Sequence, residues 1–299
     1  MIELVSICIP CYNSSRFIIK TLNSVQKQSY KNIELIVIDD DSSDFTFELI
    51  QEWARGKNWV SIFKNESNLG IVKTANKLLE HSNGDYIQFL GHDDILLENK
   101  IEKQIKFFQE LSEEVAMIYS NVSIIDEDDK IIEKDYLAYQ GYDSENMQYD
   151  DITARLLSFN FIPAISVLIK SGCLKKMGPF DESLSFEDLD MWLRISLNYK
   201  IEYFPQITAL YRRNKNSLMN DNESRINIMS SVLDCREKYR NLNPEWDKII
   251  DNGIVKSAPS LYRYNHPSAK YWIRKRLKYD KHFKSWIYWL LSRFRTKTI

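Results

Sequence analysis

Residues 86–97 read YIQFLGHDDILL. Tyr86 to Leu90 form an apolar run of the kind that makes a buried β-strand, and Ile95 to Leu97 resume it. Between them stand Gly91, His92, Asp93 and Asp94. One aspartate is enough to close a turn. Two adjacent carboxylates favour each other's protonation unless a cation lies nearby. A hard divalent ion, Mg²⁺ or Mn²⁺, supplies that cation, and it is commonly held by one or two carboxylates together with substrate phosphates. The stretch therefore reads as a strand that delivers a metal-diphosphate site at its C-terminal end.

The pattern on either side gives that strand its setting. Leu4 to Pro10 is apolar and β-rich, and Ser15 to Gln28 has helical spacing through Phe17, Ile18, Leu22 and Val25. Ile33 to Asp39 (IELIVID) predicts a second strand, followed by a helix over Ser43 to Arg55 with Ser42 or Ser43 as its cap. Val60 to Phe63 is a third strand and Ile71 to His81 a helix. Strands apolar on both faces and separated by helices predict an α/β fold with a parallel sheet covered on both sides. Right-handed crossovers then bring every strand C-terminus to one edge, where ligands of such sheets bind. From about residue 99 the pattern is mixed. Helices are expected over Asn99 to Leu111, over Ile152 to Phe159 and from Phe186, with strands over Ala116 to Ile125, shortly after the DEDDK turn (126–130), and over Ala164 to Ile169. Beyond Tyr211 the chain reads as wholly helical.

The 299 residues are 44% hydrophobic and 27% charged, an ordinary globular composition that excludes disorder. The start, MIELVSICIPCYN, enters a strand at once and does not read as a signal peptide. No run approaches the roughly 18 apolar residues of a spanning helix. Cys8 and Cys11 have C-x-x-C spacing but sit in and at the end of a strand, so buried cytosolic thiols are favoured over a redox or metal pair. Net charge is −2, yet the last 30 residues hold ten Lys/Arg and one Asp. The body is therefore acidic and the tail strongly basic, and the two are expected to meet different partners.

Two further acidic stretches join GHDD. IDDDSSD (38–44) follows the second strand and shares its sheet edge, whereas FEDLD (186–190) opens a later helix. Asp44 reads as turn chemistry, and Asp39 and Asp40 suit either a turn or a site. On the later helix Asp188 shares a stripe with Met191, Trp192 and Ile195, while Asp190 falls off it, four residues before Arg194, as an exposed ion pair. A carboxylate on an apolar stripe is either a cap or a general base facing a partly desolvated cleft.

The stretches VSICIPCYNSSRFIIKTLNSV (5–25), ELIVIDDDSSD (34–44), NLGIVKTANKLLEHSNGDYIQFLGHDD (68–94) and GPFDESLSFEDLDMWLRIS (178–196) resemble, in order and separation, the family 2 glycosyltransferases of bacterial surface-polysaccharide synthesis. The resemblance implies a GT-A fold, with a Rossmann-like, mostly parallel central sheet and helices on both faces. It covers roughly residues 4 to 215 and implies a catalytic domain over 1–215, its nucleotide-binding half about 1–95 and acceptor half about 96–215. A helical C-terminal extension over 216–299 lies outside it. The implied reaction is inverting transfer of a sugar from a nucleotide-sugar donor, by analogy UDP-linked, to a glycan or lipid-linked acceptor. The implied roles place Pro10, Tyr12 and Asn13 around the nucleotide base, Asp39 on the base edge and Asp40 in support of that loop. Asn68, Gly70 and Asn76 stand beside the nucleotide. Asp93 and Asp94 bind a divalent metal (Mn²⁺ or Mg²⁺), Asp93 also reaching the nucleotide. Asp188 is the catalytic base with Glu187 beside it, and Trp192 lies near the acceptor. Two departures stand out. Gly91 replaces the first Asp of the D-x-D-D that many relatives carry, with His92 next as a ligand, a sugar contact or a plain turn residue. YRRNKNS (211–217) has Asn214 where relatives often have histidine, leaving Arg212 and Arg213 to contact phosphate.

In the tail, Phe283, Trp286, Ile287, Leu290 and Phe294 fall on one helical face among the basic residues. That predicts a cytoplasmic protein held peripherally on an anionic membrane surface; a docked helix with a solvated basic face is the plainer reading. Competing functions are a catalytically degenerate GT-A protein that binds a membrane or partner, and a sugar-phosphate nucleotidyltransferase. The latter calls for a glycine-rich loop where this chain has PCYNSSR. A glycosidase needs two carboxylates flanking one bond, which this arrangement lacks. Nucleic acid is excluded as a partner because the acidic body repels phosphate.

Overall fold

Strand register brings the acidic strand exits to one edge of a sheet. The computed structural model describes residues 2–145, 147, 151–214, 221–280 and 283–294. Its first part alternates β1 (Val5–Cys11), α1 (Ile18–Gln26), β2 (Ile33–Asp39), α2 (Thr46–Ala54), β3 (Val60–Lys64), α3 (Ile71–His81) and β4 (Tyr86–Phe89). β1 pairs in parallel with β2 and with β4, and β2 pairs in parallel with β3. The order β3-β2-β1-β4 reverses direction of growth between β1 and β4, which makes a topological switch point at their C-terminal ends.

Side-chain alternation along β1 divides the core. Val5, Ile7, Ile9 and Cys11 pack with Ile18, Leu22 and Val25 of α1 and Ile50 of α2. Cys8, three residues before Cys11, points to the other face by the strand's period of two. Both thiols are buried and free, and burial pushes both well up from the ordinary thiol range. They do not form a redox pair.

The rest of the sheet is built from β5 (Ile95–Leu96), α4 (Lys100–Gln109), β6 (Val115–Ile125), β7 (Ile131–Glu133), α5 (Tyr136–Tyr139), α6 (Ile152–Ser158), β8 (Leu168–Lys170), α7 (Ser171–Met177), α8 (Asp188–Asn198) and β9 (Lys200–Arg212). β8 joins β4 to β6 by antiparallel pairing on both sides, β9 runs parallel to β6, and β5 pairs antiparallel with β9. All eleven residues of β6 are buried. No element was expected over residues 200–210, and β9 fills that stretch with Pro205 in its middle, where a proline would ordinarily interrupt the ladder. A register shift absorbs it: Ser120 faces Phe204 and Asn121 faces Ile207, so Pro205 and Gln206 bulge out of the ladder. The expected strand over Ala164 to Ile169 begins instead with a 3-10 turn over Ala164–Ser166.

Four helices follow: α9 (Asn222–Glu237), α10 (Pro244–Arg263), α11 (Ala269–Tyr279) and α12 (Phe283–Phe294). The chain divides into two compact units. One holds the sheet, from the N-terminus to Ile152 with Asn160–Glu182 and Glu187–Asn214. The other gathers Thr153–Phe159, Ser183–Phe186 and α9 to α12. Among the described residues no helix is long and apolar enough to cross a membrane. Lys215 to Ser217 of YRRNKNS lie outside the described residues.

Candidate active site

At the switch-point edge, the loop after β1 and the loop after β2 are laced together. Asn13 adopts a left-handed φ of 47°, which asparagine tolerates better than most residues. Its backbone N–H donates to Ser42 Oγ (2.9 Å), and its Oδ1 accepts from Ser43 N (2.9 Å). These two serines are thus occupied, and neither caps α2 as expected. The N-cap is Phe45, without a side-chain cap, and Asp44 just before it braces the turn: Oδ1 accepts from Thr46 N (3.0 Å) and Oδ2 from Ser15 N (3.1 Å). Pro10 lies in β1, and Tyr12 is exposed just beyond it.

Asp39 and Asp40 are both buried but differ in what they leave over. Asp39 Oδ1 accepts from Ser42 N (2.9 Å) and lies 4.0 Å from Lys64 Nζ, while its buried Oδ2 has no hydrogen-bond partner among the described residues. Asp40 is fully engaged by a different loop from the expected one. Its Oδ1 accepts from Asn65 Nδ2 (2.7 Å) and Leu69 N (2.9 Å), its Oδ2 from Gly70 N (2.8 Å). Gly70 begins α3 at φ 83°, a conformation that favours glycine. Asn68 stands exposed just before it. Asp40→Ala should therefore cost about 3 kcal/mol in urea unfolding, since one buried and two part-buried donors lose their shared acceptor. A loss below about 0.5 kcal/mol would show the loop holds itself.

Asn76 does not face this edge with a free group. Its Oδ1 accepts from Phe180 N (2.8 Å) and its Nδ2 donates to Phe180 O and Glu182 Oε1 (both 3.1 Å). It clamps the segment that runs toward Glu187.

After β4 the two aspartates part company. Asp93 is half-buried, and its Oδ2 accepts from Asn214 Nδ2 at 2.5 Å. Asp94 is buried and turns inward, accepting from Arg212 N at 2.8 Å. Burial, and then the Asp93 charge, hold its carboxyl well above the usual range. Of the two carboxylates expected as a metal pair, Asp93 is partly exposed and Asp94 is turned into the protein. Gly91 is explained by contact: a Cβ there would meet Asp94 Oδ2 at 2.7 Å and Asp93 Oδ1 at 3.4 Å. Arg212 is no phosphate ligand. Its guanidinium is enclosed, with Nε on Asp93 O (2.7 Å), Nη1 on Asp126 O (2.6 Å), Nη2 on Asp129 Oδ1 (2.6 Å) and the Phe17 ring 4.8 Å away. Arg213 is exposed and lies 5.0 Å over the Tyr139 ring. His92 is half-buried, its carbonyl accepting from Thr21 Oγ1 (3.0 Å).

The second carboxylate pair opens α8. Glu187 is the N-cap residue but makes no side-chain cap, and Asp188 is the first helical residue. Asp188 Oδ2 accepts from Asn160 Nδ2 (2.8 Å), Oδ1 from Leu189 N (2.6 Å). Burial raises Asp188, while burial and the Asp188 charge push Glu187 up to about 8. Asn160 carried one visible signal, an amide inside the apolar run SFNFIP (158–163). Trp192 is 1% exposed and belongs to the core, not to an acceptor surface. Asp190, expected exposed, is buried and pairs with Arg194 (2.9 Å), because Arg194 also donates to Met177 O (2.6 Å) at the end of α7.

Two tyrosines link the carboxylate groups. Tyr136 and Tyr211 meet edge to face with ring centroids 6.5 Å apart. Burial and then Asp188 push Tyr136 up to about 12; burial, Asp94 and Asp93 push Tyr211 higher.

Residues 6–164 match the model of Glycosyl transferase family 2, and the chain belongs to that family. An uncharacterized glycosyltransferase of Rickettsia typhi is 34% identical over 205 residues, which is 66% of this chain and 60% of that one. The Escherichia coli protein WfgD, named a UDP-Glc:alpha-D-GlcNAc-diphosphoundecaprenol beta-1,3-glucosyltransferase, is 38% identical over 122 residues, 41% of this chain and 47% of WfgD. The matches thus span about half to three-fifths of those relatives' length. A mannosyltransferase of Pyrobaculum calidifontis, solved with GDP-Man and Mn²⁺, superposes with a TM-score of 0.63 at 15% identity, over 98% of this chain and 79% of that one. The fold is GT-A.

Proposed function

We propose that this chain is an inverting glycosyltransferase that moves a sugar from a UDP-sugar to a hydroxyl of a lipid-linked or oligosaccharide acceptor in surface-polysaccharide synthesis. The observation that carries the reading is the Asp188 carboxylate at the start of α8, held by Asn160 Nδ2 (2.8 Å) beside Glu187 and in the same compact unit as the switch-point edge. The donor and acceptor in WfgD's name support the substrate classes.

In this reading the buried Oδ2 of Asp39 accepts an N–H of the nucleobase. Tyr12 and the Asn13 loop flank the base, and Asp40 fixes the turn at Gly70 that borders it. Asp188 accepts the proton of the acceptor hydroxyl as that oxygen attacks the anomeric carbon from the face opposite the diphosphate. Asn160 keeps the carboxylate aimed.

Asp93 fits a divalent cation of the Mg²⁺ or Mn²⁺ kind. Among the described residues there is no cluster of three or more His, Cys, Asp or Glu to cage an ion. A single carboxylate completed by substrate phosphates is a usual arrangement for these hard ions. When bound, such an ion supplies positive charge against the departing diphosphate. Asn214 and Arg212 hold Asp93 by its carboxylate and its carbonyl.

The test is thermal unfolding with UDP, with and without Mn²⁺. A hundredfold excess over Kd should stabilise the fold by about 2.7 kcal/mol. Asp93→Ala should remove only the metal-dependent share. No shift with any nucleoside diphosphate would sink the transferase reading.

A further inference from the structure

The last two helices present opposite kinds of chemistry to solvent. Along α11, Lys270, Arg274 and Lys278 recur every fourth residue, and all three are exposed. That spacing is one helical face. The other side of α11 is closed by Ala269, Trp272 and Ile273, which are buried. Neighbouring cations are already engaged: Lys275 pairs with Glu237 (2.5 Å) and Arg276 with Asp280 (2.7 Å). Among the described residues the three exposed cations make no ion pair.

α12 carries the apolar counterpart. Trp286, Ile287, Leu290 and Leu291 are between 40% and 52% exposed, and their i, i+1, i+4, i+5 spacing makes one stripe. The helix is seated by its other side, where the buried Ser285 meets Asp280 (2.6 Å) and Tyr288 lies 5.8 Å from the Tyr262 ring. Four large apolar side chains in one twelve-residue helix are more than scattered surface hydrophobics.

We propose that α11 and α12 form a docking surface for an anionic lipid bilayer. Trp286, Ile287, Leu290 and Leu291 enter the boundary between headgroups and acyl chains, and Lys270, Arg274 and Lys278 bind lipid phosphates. Charge complementarity selects this occupant. The last 30 residues hold ten Lys/Arg and a single acid, Asp280, which is buried and paired. A second copy meeting the same face would set cations against cations. A bilayer of anionic lipid supplies the apolar phase and the negative charge together. At about 1.5 Å per residue α12 is too short to span the membrane and lies in its surface. The inference stands whether or not the transferase reading does.

The experiment is co-sedimentation of the full chain with vesicles of phosphatidylcholine alone or mixed with phosphatidylglycerol, with light scattering in parallel. Binding is expected only to the mixed vesicles and is released by added salt. Lys270→Gln with Arg274→Gln and Lys278→Gln should weaken it on the order of 100-fold. Trp286→Ser with Leu290→Ser should abolish it. All these side chains are exposed, so an unchanged unfolding midpoint shows that the variants are folded. Equal binding to both vesicles, or an unaffected triple variant, overturns the proposal. So does absence of binding with the Trp286/Leu290 variant turning a dimer into a monomer, which gives the face to a second copy.

Discussion

Asp188→Asn should reduce kcat by about 10²–10⁴-fold with UDP affinity unchanged, the loss expected when a general base is removed. The neighbouring substitution Glu187→Gln should stay within about tenfold of the native rate near neutral pH. Burial and the adjacent Asp188 charge push Glu187 up to about 8, toward the neutral acid that glutamine imitates. Burial raises Asp188 too, though Asn160 and the Leu189 N–H oppose the rise by donating to its charged form. A raised base stays protonated, and inactive, to a higher pH than an ordinary aspartate. The rising limb of kcat/KM against pH should therefore lie above the usual aspartate range, and Asn160→Ala should move it higher still. Steady-state kinetics of the three variants across pH decide this. Equal damage from Glu187→Gln and Asp188→Asn at pH 7 would mean that the base has been assigned to the wrong carboxylate.

Arg212→Gln should destabilise the fold by about 3–5 kcal/mol, the cost of breaking a buried charged network from one side. Its fork reaches Asp93 O, Asp126 O and Asp129 Oδ1, which joins the loop after β4 to the 126–130 turn. That turn is tied in turn to the start of α1, by Arg16 just before the helix on Glu127 (2.5 Å) and by Lys20 within it on Asp129. Lysine is no substitute, because an ammonium cannot match a planar fork aimed at three acceptors. Denaturant unfolding and UDP binding, measured on the same variant, separate the two possible roles. A native midpoint with weakened UDP binding would restore Arg212 as a phosphate contact and remove it from the scaffold.

The residues at which expectation and structure part share a physical cause. Arg212 and Arg213 are adjacent and chemically identical, yet one is enclosed by Asp126, Asp129 and Phe17 while the other lies in solvent. Period-two alternation predicts that two neighbours face apart, but not which of them faces inward. Asp93 and Asp94 divide in the same way, and only the return of β9 alongside β5 shows that Arg212 N claims Asp94. Lys100 is a sharper case. Its position opens a helix, where a lysine is normally solvated, and here it is buried beside Gln104 with the carbonyls of Ser166 and Val167 at 3.4 Å. Burial holds its amine well below the ordinary lysine range. Asn160 escaped for a related reason, since its amide meets Asp188, 28 residues away, and Asn214, noted above only as a departure, meets Asp93, 121 residues away.

What the chain alone determined is local and periodic. The helix Ile71–His81 and the strand Ile33–Asp39 have the bounds their apolar spacing predicts, and the parallel pairing of β1 to β4, with their C-termini at one edge, follows from alternation plus right-handed crossovers. The four motif stretches placed the family. What tertiary structure decided is the orientation and company of each polar group: Asp39 with an oxygen unpartnered among the described residues and Asp40 with none, Asp93 outward and Asp94 inward, Trp192 in the core. Backbone hydrogen bonding and burial repeat with the period of an element, so they are written in neighbouring residues. A side chain's partners come from segments brought together by the sheet, and that meeting is fixed only when the whole sheet has closed.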